Sequence, residues 1–156
     1  MKIICVNQSS ITMPKKFIEQ WVDLLQREYV KLKVDGHRSL GRRELTLVFL
    51  NVPEARKLNA QFRSKNYATD ILSFTSEDDP RSLGEMILCP QVLTRQAREH
   101  GLTFKQELAY MLCHGVLHLL GYDHENSKKE AEVMYALQDK AFAQILGKLS
   151  SRRRKT

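Results

Sequence analysis

Apolar residues between positions 14 and 32 recur at near-helical spacing. Phe17, Trp21, Leu24, Leu25 and Val30 share one stripe, and Thr12 or Pro14 opens the segment, which predicts a helix over 14–32. Before it, Lys2–Val6 is short and rich in Ile, Cys and Val, as a strand is. Residues 36–41, bounded by glycines, read as a loop, and Leu45–Leu50 (LTLVFL) reads as a buried strand. Asn51 is placed to cap a helix whose first turn holds Pro53 and which runs to about Phe62. Ile71–Phe74 and Gly84–Leu88 are further strands, separated by the turn residues EDDPRS. Pro90 starts a helix to about His100, where Gly101 stops it. Thr103 caps the next, Phe104 to about Leu120, with Gly121 as its stop. Ser127 and Glu130 have the spacing of a capping box for a last helix to about Leu146. The expectation is an α+β fold: a small mixed sheet of about four strands packed with about five helices.

Composition changes this picture little. With 156 residues, 42% hydrophobic and 28% charged, the chain suits one folded unit and excludes a disordered one. The longest apolar stretch, Leu108–Leu120, is interrupted by two histidines and cannot cross a membrane, and MKIICVNQSS lacks a signal-peptide core. Three cysteines without a CxxC pair fit reduced, mostly buried thiols, so a cytoplasmic location is expected. Charge adds more. The formal net charge is +7, yet the last nine residues, KLSSRRRKT, hold five basic residues and no acid, which leaves 20 basic against 18 acidic elsewhere. Such a tail either attracts phosphates without regard to sequence or is a solvated terminus. The same two readings apply to Arg38, Arg42 and Arg43.

The chemistry is concentrated in residues 114–124, HGVLHLLGYDH, with histidines at offsets 0, 4 and 10 and a glycine at 7. Residues four apart share a helix face, so His114 and His118 aim at one point. Gly121 lets the chain leave the helix and fold back, bringing His124 to the same point. Three imidazoles with an open position are the pattern of a catalytic zinc site. The helix is otherwise apolar, and a metal is one partner that buried histidines can find. One zinc ion per chain is expected on His114, His118 and His124. The spacing is that of the metzincin protease frame HExxHxxGxxH, but Gly115 stands where the general-base glutamate belongs. Cys113 points elsewhere on the helix, and His37 and His100 stand alone as surface residues. Asp123 either orients an imidazole or forms a turn.

The same block resembles the signature H-G-x-L-H-L-x-G-Y-D-H of the YbeY family, bacterial zinc-dependent endoribonucleases. LNAQFRSKNYATDILSF (Leu58–Phe74) is similar to that family's LNxxYRxKDxxTDVLSF, and Leu83–Met86 to its LGDI, in the same order along the chain. Asn66, Thr75, Glu85 and Met86 depart from the usual residues. The resemblance implies a zincin-like metal helix, metal ligands at His114, His118 and His124, and an arginine of the substrate cleft at Arg63. These four are the candidate catalytic residues. It also implies a catalytic domain over 1–147, after which the charge distribution makes 148–156 a basic tail. Lys65 adds a phosphate contact or is solvated, Asp70 closes the turn before a strand or shapes the cleft with Ser73, and Phe62 and Phe74 read as core in preference to base-stacking platforms.

Three functions follow as expectations. The first is a zinc-dependent, single-strand-specific endoribonuclease of ribosomal RNA maturation. By resemblance it acts at the 3′ end of 16S rRNA and in association with the small ribosomal subunit. The second is a non-catalytic ribosome-assembly factor with a structural zinc. The third is a metalloprotease lacking its usual glutamate, for which Glu107, two helical turns from His114, is too distant a base.

Overall fold

A computed structural model describes residues 1–153, with side chains through residue 151. Four strands and six helices follow one another in the order β1 (Lys2–Asn7), α1 (Lys15–Lys31), α2 (His37–Leu40), β2 (Glu44–Phe49), α3 (Val52–Arg63), β3 (Ile71–Thr75), β4 (Ser82–Leu88), α4 (Pro90–Glu99), α5 (Phe104–Leu119) and α6 (Lys128–Arg153). The fold is α+β, as the pattern predicts. The sheet order is β1-β2-β4-β3. The first three strands in that order are parallel, and β3 runs antiparallel to β4 at the edge, with Ile71 opposite Leu88 and Thr75 opposite Gly84. A six-residue connection turns β3 into β4, and the parallel pairs are joined through helices, as parallel strands require.

Two clusters fill the faces of this sheet. The larger one packs Leu45, Leu47 and Phe49 of β2 and Met86 and Leu88 of β4 against α1, α5 and α6. The smaller one holds Leu50, Ala55, Cys89 and Val92, with Val48 and Ile87 turned toward it. β2 therefore alternates between two apolar environments and is not uniformly buried. A strand covered on both faces shows an unbroken apolar run, and periodicity alone cannot tell which residues take which face.

Three features differ from the sequence reading, two of them element boundaries. The glycine-bounded segment 36–41 contains a single helical turn, α2. Asn51 holds the N-cap position of α3, but its side chain bonds elsewhere: Oδ1 accepts from the Ser10 N–H and from Gln91 Nε2. α6 continues past Leu146 to Arg153. There Leu149 still packs on the core, and Lys148 donates to the fully buried Glu28 carboxylate of α1. Residues 154–156 of the basic segment lie outside the described residues.

The thiols are free, with Cys89 and Cys113 buried. No helix among the described residues is long and apolar enough to cross a membrane.

Candidate metal centre

The site is built on α5. A reciprocal capping box starts this helix: the Gln106 N–H donates to Thr103 Oγ1, and the Thr103 N–H donates to Gln106 Oε1. Ten buried positions then hold the helix against the sheet and α6, so the rings of His114 and His118 leave it at fixed angles. The helix ends where Gly121 takes φ +98°, with its N–H donating to the His118 carbonyl and the Tyr122 N–H to that of Leu117. Asp123 Oδ1 accepts from the Glu125 N–H at 2.8 Å. Asp123 is thus the turn former of its two readings. From outside, the Tyr122 hydroxyl accepts from the Asp35 N–H. This turn returns His124 to the other two rings.

Ring centroids of the three histidines lie 4.6–5.0 Å apart. Their candidate ligand atoms all lie within 4.8 Å of one another. His114 Nδ1 is 2.9 Å from Oε1 of the buried Gln138, an acceptor, so Nδ1 carries the proton and Nε2 presents its lone pair. That Nε2 faces His118 Nε2 at 3.0 Å. Ligands of a tetrahedral zinc sit about 3.3 Å apart, from bond lengths near 2.0–2.1 Å. His124 Nδ1 is buried and has no partner among the described residues. Burial holds the His114 ring below the usual imidazole range, with the Gln138 bond pulling the other way. Burial, and then the neighbouring His114 and His124, push His118 down to about 4. Near neutral pH these two rings are uncharged, the state in which imidazole binds metal. The three residues fit a metal ion.

A cleft of about 380 Å³ opens over this point. Edge strand β3 supplies Ile71, Ser73 and Thr75 to its lining, and α6 supplies Tyr135 and Gln138. Arg63 also lines it. Ser64 takes a left-handed conformation at φ 54° and ends α3 just after this arginine. The side chain is 43% exposed and its guanidinium lies 3.8 Å from Glu125 Oε1, a loose surface pair that leaves its donors open to an anion. Asp70 lines the cleft as well, but its carboxylate is engaged in structure. Oδ1 accepts from the Ile71 N–H and Oδ2 from Gln96 Nε2.

Gly115 explains why the protease frame is incomplete. A Cβ there would sit 2.6 Å from Met86 Sδ and 2.8 Å from Ile71 Cδ1. The sheet occupies the space a glutamate would need. Glu107 is no substitute, being buried and bonded to His100 Nδ1 at 2.9 Å, away from the cleft.

Several expectations about single residues change. Phe62 is not core: it is 55% exposed and packs edge-on against Phe74, because the last turn of α3 has run past the apolar cluster beneath it. Lys65 is exposed, and Asn66 accepts from Arg56 on the surface. Gln138, Tyr135 and Glu125 were not singled out by the sequence. Gln138 had a readable signal, since it interrupts the buried stripe Met134, Ala141, Ile145 of α6. A polar residue in an apolar stripe needs a partner, here His114.

The comparisons agree with this geometry. The family model described as Endoribonuclease YbeY matches residues 3–146. A protein named Endoribonuclease YbeY from Bdellovibrio bacteriovorus is 55% identical over 152 residues, covering 97% of this chain and all of that protein. A namesake from Persephonella marina is 36% identical, covering 93% of this chain and 94% of its own. The solution structure of TM1509 from Thermotoga maritima superposes with a TM-score of 0.65 at 29% identity, covering 99% of this chain and 95% of that one. With the match running from β1 into α6 and across all three histidines, the chain belongs to the YbeY family.

Proposed function

We propose that this protein is a zinc-dependent endoribonuclease that cuts single-stranded regions of precursor ribosomal RNA, in the cytoplasm and in association with the small ribosomal subunit. The observation that carries this reading is the convergence of three imidazoles in a cleft that also holds Arg63, at a helix position where packing leaves no room for a protease base. The names of the relatives support the reaction class.

His114, His118 and His124 hold the zinc ion. Bound there, zinc supplies Lewis-acid polarisation of a phosphoryl oxygen and acidifies bound water. Gln138 keeps His114 in the tautomer that binds metal and fixes its ring plane. Arg63 binds a non-bridging phosphate oxygen and neutralises the charge that grows on it in the transition state. The nucleophile is water or the RNA 2′-hydroxyl. The basic segment after Lys148 adds attraction for the backbone that is independent of sequence.

The test is cleavage of a labelled single-stranded RNA by protein of determined zinc content, beside His118→Ala and Arg63→Ala. His118→Ala is expected to lose both zinc and cleavage. Arg63→Ala should keep zinc and lose on the order of 10²–10³ in kcat, as removal of a transition-state donor does. Equal cleavage by His118→Ala would sink the reading. RNA binding without turnover in the zinc-loaded wild type would leave the assembly-factor function.

A further inference from the structure

Tyr135 stands in the α6 wall of the cleft, one turn before Gln138. Tyr135 is 40% exposed, although it stands beside buried positions of α6. It lies nearly parallel to His114, at 28° and 6.2 Å between centroids, and 5.6 Å from His124 at 59°. The neighbours on its turn of the helix, Met134 and Gln138, are buried, while Tyr135 keeps an open aromatic face beside the three histidines.

We propose that Tyr135 is a specificity-determining residue, a platform on which one unpaired base flanking the scissile phosphate stacks. This rests on the ribonuclease reading above. A phosphate held between Arg63 and the histidines brings its flanking base within one nucleotide's reach of a ring 5.6 Å from His124. Every base has a π-face, so stacking tolerates sequence. A base inside a duplex has both faces covered and cannot stack on a side chain without being extruded. An open tyrosine face at the reacting point therefore selects single strands by shape.

The experiment uses zinc-loaded wild type, Tyr135→Phe and Tyr135→Ala with a single-stranded RNA and with copies carrying one abasic nucleotide at successive positions around the cut. Tyr135→Phe should behave as wild type. Tyr135→Ala should raise KM on the order of 5–100-fold, as the loss of one stacked base does, with zinc content unchanged. One abasic position should raise the wild-type KM by the same factor and leave that of Tyr135→Ala unmoved. Wild-type KM for Tyr135→Ala would overturn the proposal. So would equal losses in the Phe variant, which would assign the role to the hydroxyl, or loss of zinc, which would make Tyr135 a support for the ligands. A wild type that binds RNA without cutting would count against the nuclease reading alone. Quenching of 2-aminopurine at the flanking position would still decide the matter: seen with wild type and Phe but not Ala, it supports the platform, and seen with all three, it overturns it.

Discussion

Gly115 shows how one residue separates this site from a protease built on the same histidine spacing. Its missing side chain is a packing requirement, set by Met86 of β4 and Ile71 of β3. Alanine would press on the ends of two flexible side chains, a cost of about 1–3 kcal/mol. Roughly 1 kcal/mol of helix propensity offsets part of that. Gly115→Glu has no such compensation, because it also buries a carboxylate against the apolar side chains of Met86 and Ile71. In urea denaturation Gly115→Ala should fall within about 2 kcal/mol of wild type. Gly115→Glu should unfold at far lower urea and hydrolyse no protein substrate. A Glu variant as stable as the Ala variant would show that the sheet does not exclude the protease base. The histidines were readable from sequence because their spacing lies within one short motif. Gln138 and Tyr135 sit on another helix, and only folding brings them to the site.

At the scale of elements, helix ends were the best-marked features. Pro90, Thr103 and Gly121 each start or stop a helix by a local mechanism, so α4 and α5 fall within a residue of their expected bounds. The end of α6 is not marked in the sequence, because its apolar stripe thins after Ile145, while Leu149 and the Lys148–Glu28 pair continue the contact. The strand order was not readable at all, since pairing β4 between β2 and β3 is decided by contacts distant in sequence. The junction of α4 and α5 carries a pH-dependent contact of its own. His100 is raised above its ordinary range by its hydrogen bond to Glu107, then by that carboxylate's charge, with Glu99 and Asp70 adding to it. A histidine raised in the folded state stabilises fully below its unfolded value, near 6.5, and loses that contribution as pH rises through the folded value. His100→Gln should therefore lower the urea midpoint at pH 6, and the gap to wild type should close toward pH 9. Comparing the two proteins cancels the opposite trend from His118. A gap that is constant with pH would assign the contact to hydrogen bonding alone.

For the whole molecule, charge bears on RNA capture more than on the fold. The last nine residues bring five of the basic residues behind the net charge of +7, and one of these, Lys148, is tied to Glu28. Arg152, Arg153, Arg154 and Lys155 remain as candidates for the RNA backbone. Each phosphate neutralised on a single strand adds about 0.7 to the slope of log affinity against log salt. Changing these four to serine should lower that slope by up to about 3, if each meets a phosphate. The zinc content should stay at wild type, and so should kcat at saturating RNA, since capture precedes chemistry and leaves the histidines untouched. The parallel change of Arg38 and Arg42, both exposed, measures the second basic cluster on the same axis. A slope that moves with the second pair and not with the tail would place the RNA path over α2. A slope that moves with neither would leave Arg63 and the metal as the anchors of the strand, with affinity that barely depends on salt.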